Sequence, residues 1–343
     1  MKIYTNNNVF DAALDRIRFI FDEFDEVVVS FSGGKDSTVT LNLALKIAEE
    51  KGRLPLKVMF LDQEAEWQNV VDYVRTVMLD PRVEPWWFQV PIKMTNSTSN
   101  EQHYLHCWTE GDDENWMRPK EDFAITENIY GKDRFYEMFP AIMKYHWPDT
   151  PMAVLAGVRA EESPARLAGL TTAATYKDIT WGKKVNKKEN HYNFYPLYDW
   201  SYTDIWKSIF DHNWKYAKAY DYFYQYGVSP TKMRVSNLHH ETAVHQLFYL
   251  QEIERDTWNK LVKRLDGINQ ARHMTKADMF QAKKLPYMFK DWREYRDHLL
   301  INLVTDTDYQ EAMRKKFAQM DDKYSMLRDM SKLHKVHVTT ILA

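Results

Sequence analysis

Cysteine is nearly absent from this sequence, which holds a single residue of that type, Cys107, among 343. One thiol excludes an internal disulfide framework, and it also excludes a metal site built from cysteines alone. Iron–sulfur centres, which need several thiolate ligands, are excluded for the same reason. We therefore expect a chain that works in a reducing, cytoplasmic compartment.

The sequence also lacks an excess of either charge and any long apolar run. Its formal net charge is -3, so no overall basic field indicates nucleic acid binding, and any such contact would have to be local. No stretch approaches the roughly 18 apolar residues that span a bilayer. Residues 1–10 carry no apolar segment of the signal-peptide kind. We expect no membrane partner.

Aromatic residues, in contrast, are abundant: they make up 15% of the chain, with 12 Trp and 21 Tyr. Large aromatic side chains fill cores, and they also stack on nucleobases, so both roles stay open. The hydrophobic fraction of 44% is near the average for globular domains, and the length is ample for a buried core. Composition therefore predicts an ordered globular protein.

Short apolar runs alternate with amphipathic segments through the first two thirds of the chain. The predicted buried strands cover residues 27–31, 56–61, 86–90 and 153–156. The predicted helices there cover residues 9–24, 38–50, 68–79 and 201–212, with a further helix around residue 142. Residues 176–181 and 192–195 flank a polar run and predict a hairpin. Strand alternating with helix predicts an α/β fold with a doubly wound, mainly parallel sheet.

The last third of the chain has helical spacing and no convincing strand. We therefore predict an α/β nucleotide-binding domain over residues 1–228 and a helical C-terminal region over residues 229–343. The irregular stretch at about residues 94–149, rich in Asn, Asp, Glu, Trp and Tyr, is predicted to be an insertion that folds over the mouth of a site.

The segment that carries most information lies between the first strand and the next helix, at residues 30–37, with the sequence SFSGGKDS. Two glycines let the backbone turn sharply, and the N–H groups of the turn and of the helix N-terminus then point at an anion. Lys35 adds a compact positive charge, and Asp36 is a candidate ligand for Mg²⁺. The loop is too short for the Walker pattern G-x-x-x-x-G-K-[ST]. The plain alternative is a strand-to-helix turn with incidental polar residues.

This loop resembles the PP-loop of the ATP pyrophosphatases, also called adenine nucleotide α-hydrolases, and within them the PAPS reductase-like branch. Three further segments, at residues 60–66, 155–166 and 195–206, resemble motifs of that branch and occur in the same order. The resemblance covers about residues 10–225. It implies that ATP or a related adenine nucleotide, with Mg²⁺, is the cofactor, and that the end of the second strand faces the adenosine.

Loop and motifs together define the predicted site. The predicted nucleotide-binding residues are Ser30, Ser32, Gly33, Gly34, Lys35, Asp36, Ser37, Leu61, Asp62 and Gly157. The predicted catalytic residues are Lys35, Asp36, Arg159 and Arg166, with Asp36 as the metal ligand.

Several of these residues have an alternative role that the sequence leaves open. Arg159 and Arg166 suit a phosphate or sulfate through bidentate hydrogen bonds, or they form surface salt bridges with Glu161 and Glu162. Asp62 either bonds the ribose or caps the following turn.

One expected feature of the reductases is missing. Enzymes of that name use a cysteine near the chain's end, whereas this sequence has no Cys after Cys107. Because the thiolate is the nucleophile of that reaction, sulfonucleotide reduction in the family's way is not expected. Adenylation of an acceptor, for which a nucleic acid is the candidate, with release of pyrophosphate is the first hypothesis. A nucleotide-binding regulatory protein or co-activator that works through a partner is the alternative.

Four further features of the sequence are weaker indications of function. His240, Glu241 and His245 form a polar cluster that is either structural or a metal or acid–base site. A zinc site at His103, His106 and Cys107 is a weak alternative to ordinary loop packing. The basic patch of Lys183, Lys184, Lys187 and Lys188 fits either nucleic acid phosphates or a solvated loop. The C-terminal region resembles phage and prophage PAPS reductase-like proteins, which implies a ParB-like partner.

Overall fold

The protein is described by a computed structural model for residues 6–98, 102–171, 175–185, 189–231, 233–235, 237–240, 243–268, 285, 288–304, 306–326 and 329–342. These residues form two compact units. The first takes its residues from Met1–Met94 and His106–Val235, and the second from Thr95–Leu105 and Ser236–Ala343. The predicted domain boundary at residue 228 and the predicted insertion at residues 94–149 stay predictions.

Strands and helices follow one another along residues 9–225 of the chain. The strands are β1 (Glu26–Ser30), β2 (Leu56–Leu61), β3 (Val83–Phe88), β4 (Ile92–Thr95), β5 (Tyr104–Cys107), β6 (Met152–Ala156), β7 (Thr175–Tyr176), β8 (Ile179–Lys184) and β9 (His191–Phe194). The helices are α1 (Val9–Glu23), α2 (Lys35–Glu50), α3 (Gln68–Met78), α4 (Phe135–His146), α5 (Pro164–Thr171), α6 (Tyr202–Asp211) and α7 (Ala219–Gln225). The helix predicted around residue 142 and the predicted hairpin, β8 with β9, are both present.

Seven strands join into one sheet in the order β3-β2-β1-β6-β9-β8-β7, and β4 pairs with β5 separately. The pairs β3–β2, β2–β1, β1–β6 and β6–β9 are parallel. The pairs β9–β8 and β8–β7 are antiparallel. Parallel strands need helical crossovers, and the residues of β1, β2 and β6 are accordingly apolar and buried. The predicted doubly wound α/β fold is confirmed.

The strand β3 lies slightly before its predicted position of residues 86–90 and contains Pro85. Proline cannot donate a ladder hydrogen bond, so within sheets it is confined largely to edges. β3 is the edge strand of this sheet next to β2, and its other side forms only an isolated bridge, from Phe88 to Ile125, among the described residues. The prediction began the strand after Pro85, and the edge position is what allows the strand to start earlier.

The segment after β9 holds the N-terminal helix against the sheet. The guanidinium of Arg16 in α1 donates to both carboxylate oxygens of Asp199, at 2.8 and 2.7 Å. The neighbouring Trp200 is fully buried, and its indole N–H donates to the Val9 carbonyl at 3.0 Å. Ser201 caps α6, with Asp204 completing a capping box. Asp199 and Trp200 thus anchor α1, and Ser201 is the N-cap of α6, which lies at the predicted helix of residues 201–212.

The second unit is helical over the described residues from 237 onward, as predicted. Its helices are α8 (Val244–Ile253), α9 (Arg255–Arg264), α10 (Trp292–Asn302), α11 (Thr307–Lys323) and α12 (Ser331–Leu342). A small apolar core joins the last three helices, with Leu300, Met313, Phe317 and Ile341 among its buried members. Within the described part of the chain, no helix is both long enough and apolar enough to cross a bilayer.

Candidate functional site

The predicted loop lies where the order of the sheet reverses. The chain steps outward from β1 to β2 and β3 on one side, and from β6 to β9 on the other, while β1 and β6 pair in parallel. Loops that leave the carboxyl ends of two such strands diverge and open a crevice, which is where ligands bind in open α/β sheets. Residues 31–34 follow β1, and residues 157–159 follow β6. The topology therefore brings the two predicted motifs to one place.

Two glycines make the crevice sterically possible. Gly33 has a φ of +70°, and a Cβ atom there would lie 2.6 Å from the Cγ1 atom of Val70. At Gly157 a Cβ atom would lie 2.6 Å from the carbonyl carbon of Asp36 and 2.7 Å from the amide nitrogen of Ser37. The first glycine permits the left-handed turn, and the second lets the end of β6 pack onto the first turn of α2. The observed contact of Gly157 is with protein backbone.

The hydroxyl groups of the loop are engaged with the loop itself. The Ser37 hydroxyl donates to the Gly34 carbonyl at 2.9 Å, and it accepts from the Ser32 backbone N–H at 3.3 Å. The Ser32 and Ser37 hydroxyl oxygens are 3.1 Å apart. Gly34, the N-cap of α2, provides no side-chain cap. Ser30 ends β1. The turn is thus fixed by short-range bonds, and the N-cap Gly34 leaves the first turn of α2 without a side-chain cap of its own, as suits a helix start that binds an anion.

A buried ionic cluster stands at the start of α2. The Asp36 carboxylate accepts from the Lys35 ammonium at 2.9 Å and, through its other oxygen, from the Nε of Arg159. All three side chains are nearly enclosed, with 5%, 12% and 5% exposure for Lys35, Asp36 and Arg159. Arg159 also lies 3.4 Å from the Trp200 carbonyl oxygen and 3.4 Å from a Glu161 carboxylate oxygen. The structure therefore joins three of the four predicted catalytic residues.

The fourth predicted catalytic residue lies apart from that cluster. Arg166 is in α5, its side chain is 49% exposed, and its Nε is 3.7 Å from a Glu162 carboxylate oxygen. Arg166 thus lies beside Glu162, one of the two glutamates considered as its partner from the sequence. The main partner of Arg159 is instead Asp36, 123 residues away. A catalytic role for Arg166 stays a prediction.

Tyr220 is a site residue that the sequence analysis missed. The Lys35 backbone N–H donates to the Tyr220 hydroxyl at 3.0 Å, and the Lys35 ammonium lies 5.7 Å from the centre of the Tyr220 ring. The same ammonium is 3.5 Å from the Met233 carbonyl oxygen. Burial, the largest cause, raises the pKa of Tyr220 well above its ordinary value, so the phenol is neutral. The only feature of the sequence that could have indicated Tyr220 is the tyrosine-rich stretch around it. Such a stretch is equally typical of a helix that packs in the core.

Asp62, predicted to bond the ribose or to cap a turn, is fully buried in an internal network. Its carboxylate accepts from the Arg118 guanidinium at 2.5 and 2.6 Å and from the Glu64 backbone N–H at 2.9 Å. The indole of Trp87 and the amide of Gln89 also donate to it, at 2.9 and 3.0 Å. This supports the capping alternative, because five protein hydrogen bonds already occupy the two oxygens. Leu61, at the end of β2, is likewise buried.

Two further carboxylates follow Asp62 in a tight, buried turn. Glu64 adopts a φ of +62° and accepts from the Trp108 backbone N–H at 2.8 Å. Burial raises the pKa of Glu66 to about 8, and the charge of Asp62 adds to this effect. Glu66 accepts a hydrogen bond from the Gln63 backbone N–H at 3.3 Å. The turn is therefore a rigid element that closes the end of β2, with Arg118 as its counter-charge.

The candidate metal ligands that the structure describes do not assemble into a cluster. Among the described residues, no group of three or more His, Cys, Asp or Glu side chains is arranged to hold an ion. The Cys107 thiol is buried and donates to the Gln63 carbonyl at 3.2 Å. Glu241 and the His245 side chain lie outside the described part. A Mg²⁺ ion that arrived with a triphosphate would find one carboxylate of the loop, Asp36, which suits an ion that takes most of its ligands from phosphate and water.

The basic patch is only partly described, because Lys187 and Lys188 lie outside the described residues. Lys183 is 7% exposed. Lys184 has its ammonium 6.0 Å from the centre of the Tyr192 ring. Burial lowers the pKa of Lys183 below its ordinary value. Nucleic acid contact at this hairpin stays a prediction.

Comparison with known proteins agrees with this arrangement. The phosphoadenosine phosphosulfate reductase domain matches residues 26–226, which include every element of the crevice. The chain belongs to this family. A domain of unknown function, DUF3440, matches residues 227–331. The predicted PP-loop ancestry and PAPS reductase-like branch are thereby confirmed, and family membership supports adenine-nucleotide binding.

Individual relatives and solved structures are similar to parts of this chain. The uncharacterized protein YbdN of Escherichia coli K12 is 30% identical over 314 residues, which are 88% of this chain and 76% of the relative. Sulfate adenylyltransferase subunit 2 of Aliivibrio fischeri is 24% identical over 60% of this chain, and the match spans 63% of that subunit's length. Among solved structures, the Candida glabrata FMN adenylyltransferase aligns with a TM-score of 0.40 and 17% identity, covering 65% of each chain. The Candida auris PAPS reductase aligns with a TM-score of 0.37 and 13% identity, covering 70% of this chain and 98% of that one.

Proposed function

We propose that this chain binds ATP in the crevice between β1 and β6 and transfers its adenylyl group to an acceptor, releasing pyrophosphate. The observation that carries the proposal is the buried cluster of Lys35, Asp36 and Arg159 at the start of α2. It places two cations beside the N-terminus of α2, where the N-cap Gly34 provides no side chain, and a helix N-terminus favours anions through both its N–H groups and its dipole.

The chemistry needs positioning and charge more than it needs covalent help from the protein. An acceptor oxygen attacks the α-phosphorus, the bond from that phosphorus to the oxygen bridging to the β-phosphorus breaks, and pyrophosphate leaves with the bonding electrons. The acceptor's proton passes to solvent. Lys35 and Arg159 hold the phosphates and stabilise the negative charge that develops on the leaving group. Mg²⁺, when bound, would add charge neutralisation, with Asp36 as its protein ligand.

Relatives support this reaction class without fixing the acceptor. Sulfate adenylyltransferase subunit 2 and FMN adenylyltransferase, both similar to this chain, are named for adenylyl transfer. The single cysteine of this sequence is buried and bonded to a carbonyl, which disfavours a thiol-based reduction of a sulfonucleotide. A nucleic acid remains our candidate acceptor, and a ParB-like protein remains the candidate partner.

The test is product analysis with ATP labelled in its α-phosphate, in the presence of Mg²⁺, with and without nucleic acid. Labelled AMP or an adenylated acceptor, together with pyrophosphate, is the expected result. Lys35→Ala should abolish it, whereas Lys207→Ala, which removes a lysine that is 73% exposed on α6, should not. Release of ADP and phosphate alone would contradict adenylyl transfer.

A nucleotide-binding regulatory protein is the second candidate, and one observation favours it. Lys35, the cation of the loop, is enclosed by Asp36, Tyr220 and the Met233 carbonyl. A loop in this closed state suits a protein whose conformation reports nucleotide. Binding of ATP without turnover, with and without nucleic acid, would favour this candidate over the enzyme.

A further inference from the structure

The groups of the PP-loop that would bind phosphates are already hydrogen bonded to the protein. The Lys35 backbone N–H donates to the Tyr220 hydroxyl, and the Lys35 ammonium bonds the Asp36 carboxylate and approaches the Met233 carbonyl oxygen. The Ser32 N–H donates to Ser37. The Tyr220 phenol oxygen therefore lies where an anion's oxygen would be expected at the start of a helix, and the Met233 carbonyl oxygen lies beside the Lys35 ammonium.

A short segment holds this arrangement closed. We call Met233, Arg234 and Val235 the strap. The Arg234 guanidinium donates to the Glu162 carbonyl at 2.8 Å, which ties the strap to the turn after β6. A Cβ atom at Gly34 would lie 3.7 Å from a methyl carbon of Val235, so the strap is in van der Waals range of the loop.

A triphosphate can displace these groups because it offers stronger bonds. Charge-assisted hydrogen bonds are about twice as strong as neutral ones, and both Tyr220 and the Met233 carbonyl are neutral acceptors. The helix N-terminus adds a preference for negative charge. Opening the strap must nevertheless break the Arg234–Glu162 bond, and freeing the Lys35 N–H must break its bond to the Tyr220 hydroxyl. Only open molecules bind nucleotide. The apparent affinity is therefore the affinity of the open state multiplied by the fraction of molecules that are open.

We propose that the strap and Tyr220 form an autoinhibitory closure of the PP-loop, which the phosphates of ATP displace when they bind. This inference rests on the proposed ATP binding and names how that same site is regulated. It assigns Tyr220 as the residue that occupies the phosphate position at the start of α2, and Arg234 as the residue that anchors the strap.

The first experiment measures the affinity for ATP with Mg²⁺, and separately for pyrophosphate, by titration calorimetry. Tyr220→Phe removes the hydroxyl but keeps the ring, and Arg234→Ala releases the anchor. Each should bind ATP about two- to tenfold more tightly than the unchanged protein, the range that corresponds to one lost hydrogen bond of the closed state. Tyr224→Phe, on the same helix at a position that is 70% exposed, is the matched control and should leave the affinity unchanged.

The second experiment follows the strap itself. Trypsin cleaves after Arg234 when the strap is open, so ATP should accelerate the appearance of that fragment, and Arg234→Ala should remove it. Equal or weaker ATP binding by both variants, with slower cleavage in the presence of ATP, would overturn the closure. ATP binding by the unchanged protein and its loss in Lys35→Ala would in that case leave the proposed function standing. Failure of every protein, including Tyr220→Phe, to bind ATP or pyrophosphate would overturn both.

Discussion

Gly157 packs so closely against Asp36 that a Cβ atom at position 157 would lie 2.6 Å from the Asp36 carbonyl carbon. The contact joins the end of β6 to the first turn of α2. Because the clash would be with backbone, no side-chain rotation can relieve it.

Gly157→Ala should therefore force the two elements apart. We expect a loss of about 1–3 kcal/mol in the free energy of unfolding, the usual cost of overpacking, together with weaker ATP binding. Gly169→Ala is the control, since nothing lies within 4 Å of a Cβ atom there. Gly169 is inside α5, so its replacement should raise stability by about 0.5–1 kcal/mol. Urea unfolding measures both, and equal stability of the two variants would contradict the packing argument.

The cluster of Lys35, Asp36 and Arg159 gives a second prediction. Asp36→Asn keeps the shape of the side chain but removes the carboxylate that pairs with both buried cations, and Arg159 then keeps only the more exposed Glu161 carboxylate, 3.4 Å away. Removing one partner of a buried ion pair costs about 3–5 kcal/mol, and we expect a loss of that order in the free energy of unfolding. Asp211→Asn breaks the exposed pair with Lys207 and should cost less than about 0.5 kcal/mol. Denaturant unfolding measures both variants. If Asp36→Asn and Asp211→Asn lost similar amounts of unfolding free energy, the cluster would be as solvated as the exposed pair.

The buried carboxyl of Glu66 predicts a specific pH dependence. Burial, with the Asp62 charge, raises its pKa from 4.5 to about 8. Between these values the folded protein keeps a proton that the unfolded chain has lost, so this group lowers stability as the pH rises from 4.5 to 8. Glu66→Gln, which stays neutral, should gain stability relative to the unchanged protein between pH 5 and pH 8. Urea unfolding at both pH values measures the gain, and Glu311→Gln, at an exposed position, is the control. A difference that stays constant with pH would refute the assignment.

A histidine in the second unit predicts the opposite trend. His337 is fully buried, stacks on Phe317 at 4.3 Å between ring centres, and lies 3.7 Å from Asp321. Burial is the main cause that lowers its pKa from 6.5 to about 4; Asp321 opposes the shift, and Arg296 and His334 add to it. Between these values the unfolded chain binds a proton that the folded protein does not, so stability falls as the pH drops from 6.5 to 4.

Replacing this imidazole should remove that part of the acid sensitivity. The curve of unfolding free energy against pH should be flatter for His337→Leu than for the unchanged protein between pH 6.5 and pH 4. His298→Leu removes a histidine from the exposed surface of α10 and controls for the loss of the residue type. Parallel curves for His337→Leu and the unchanged protein would contradict the prediction.

Sequence reasoning succeeded wherever the signal was local. The loop of residues 30–37 was recognised because its glycines, serines and lysine lie together between a buried strand and a helix. The helix predicted over residues 201–212 is present as α6 for the same reason, since the cap Ser201 and its helix are neighbours in the chain. The predicted roles of Arg159 and Arg166, in contrast, were treated as a pair, and the structure separates a buried arginine from a half-exposed one.

The sequence by itself thus determined the α/β alternation, the PP-loop and the family, because each depends on residues that are close together in the chain. Only the tertiary structure decided which groups enclose the loop. Lys35 meets Tyr220 across 185 residues, Asp36 meets Arg159 across 123, and Asp62 meets Arg118 across 56. A buried charge requires a partner, but periodicity carries no information about which distant residue supplies it. That choice is made when the strands align and their carboxyl ends meet.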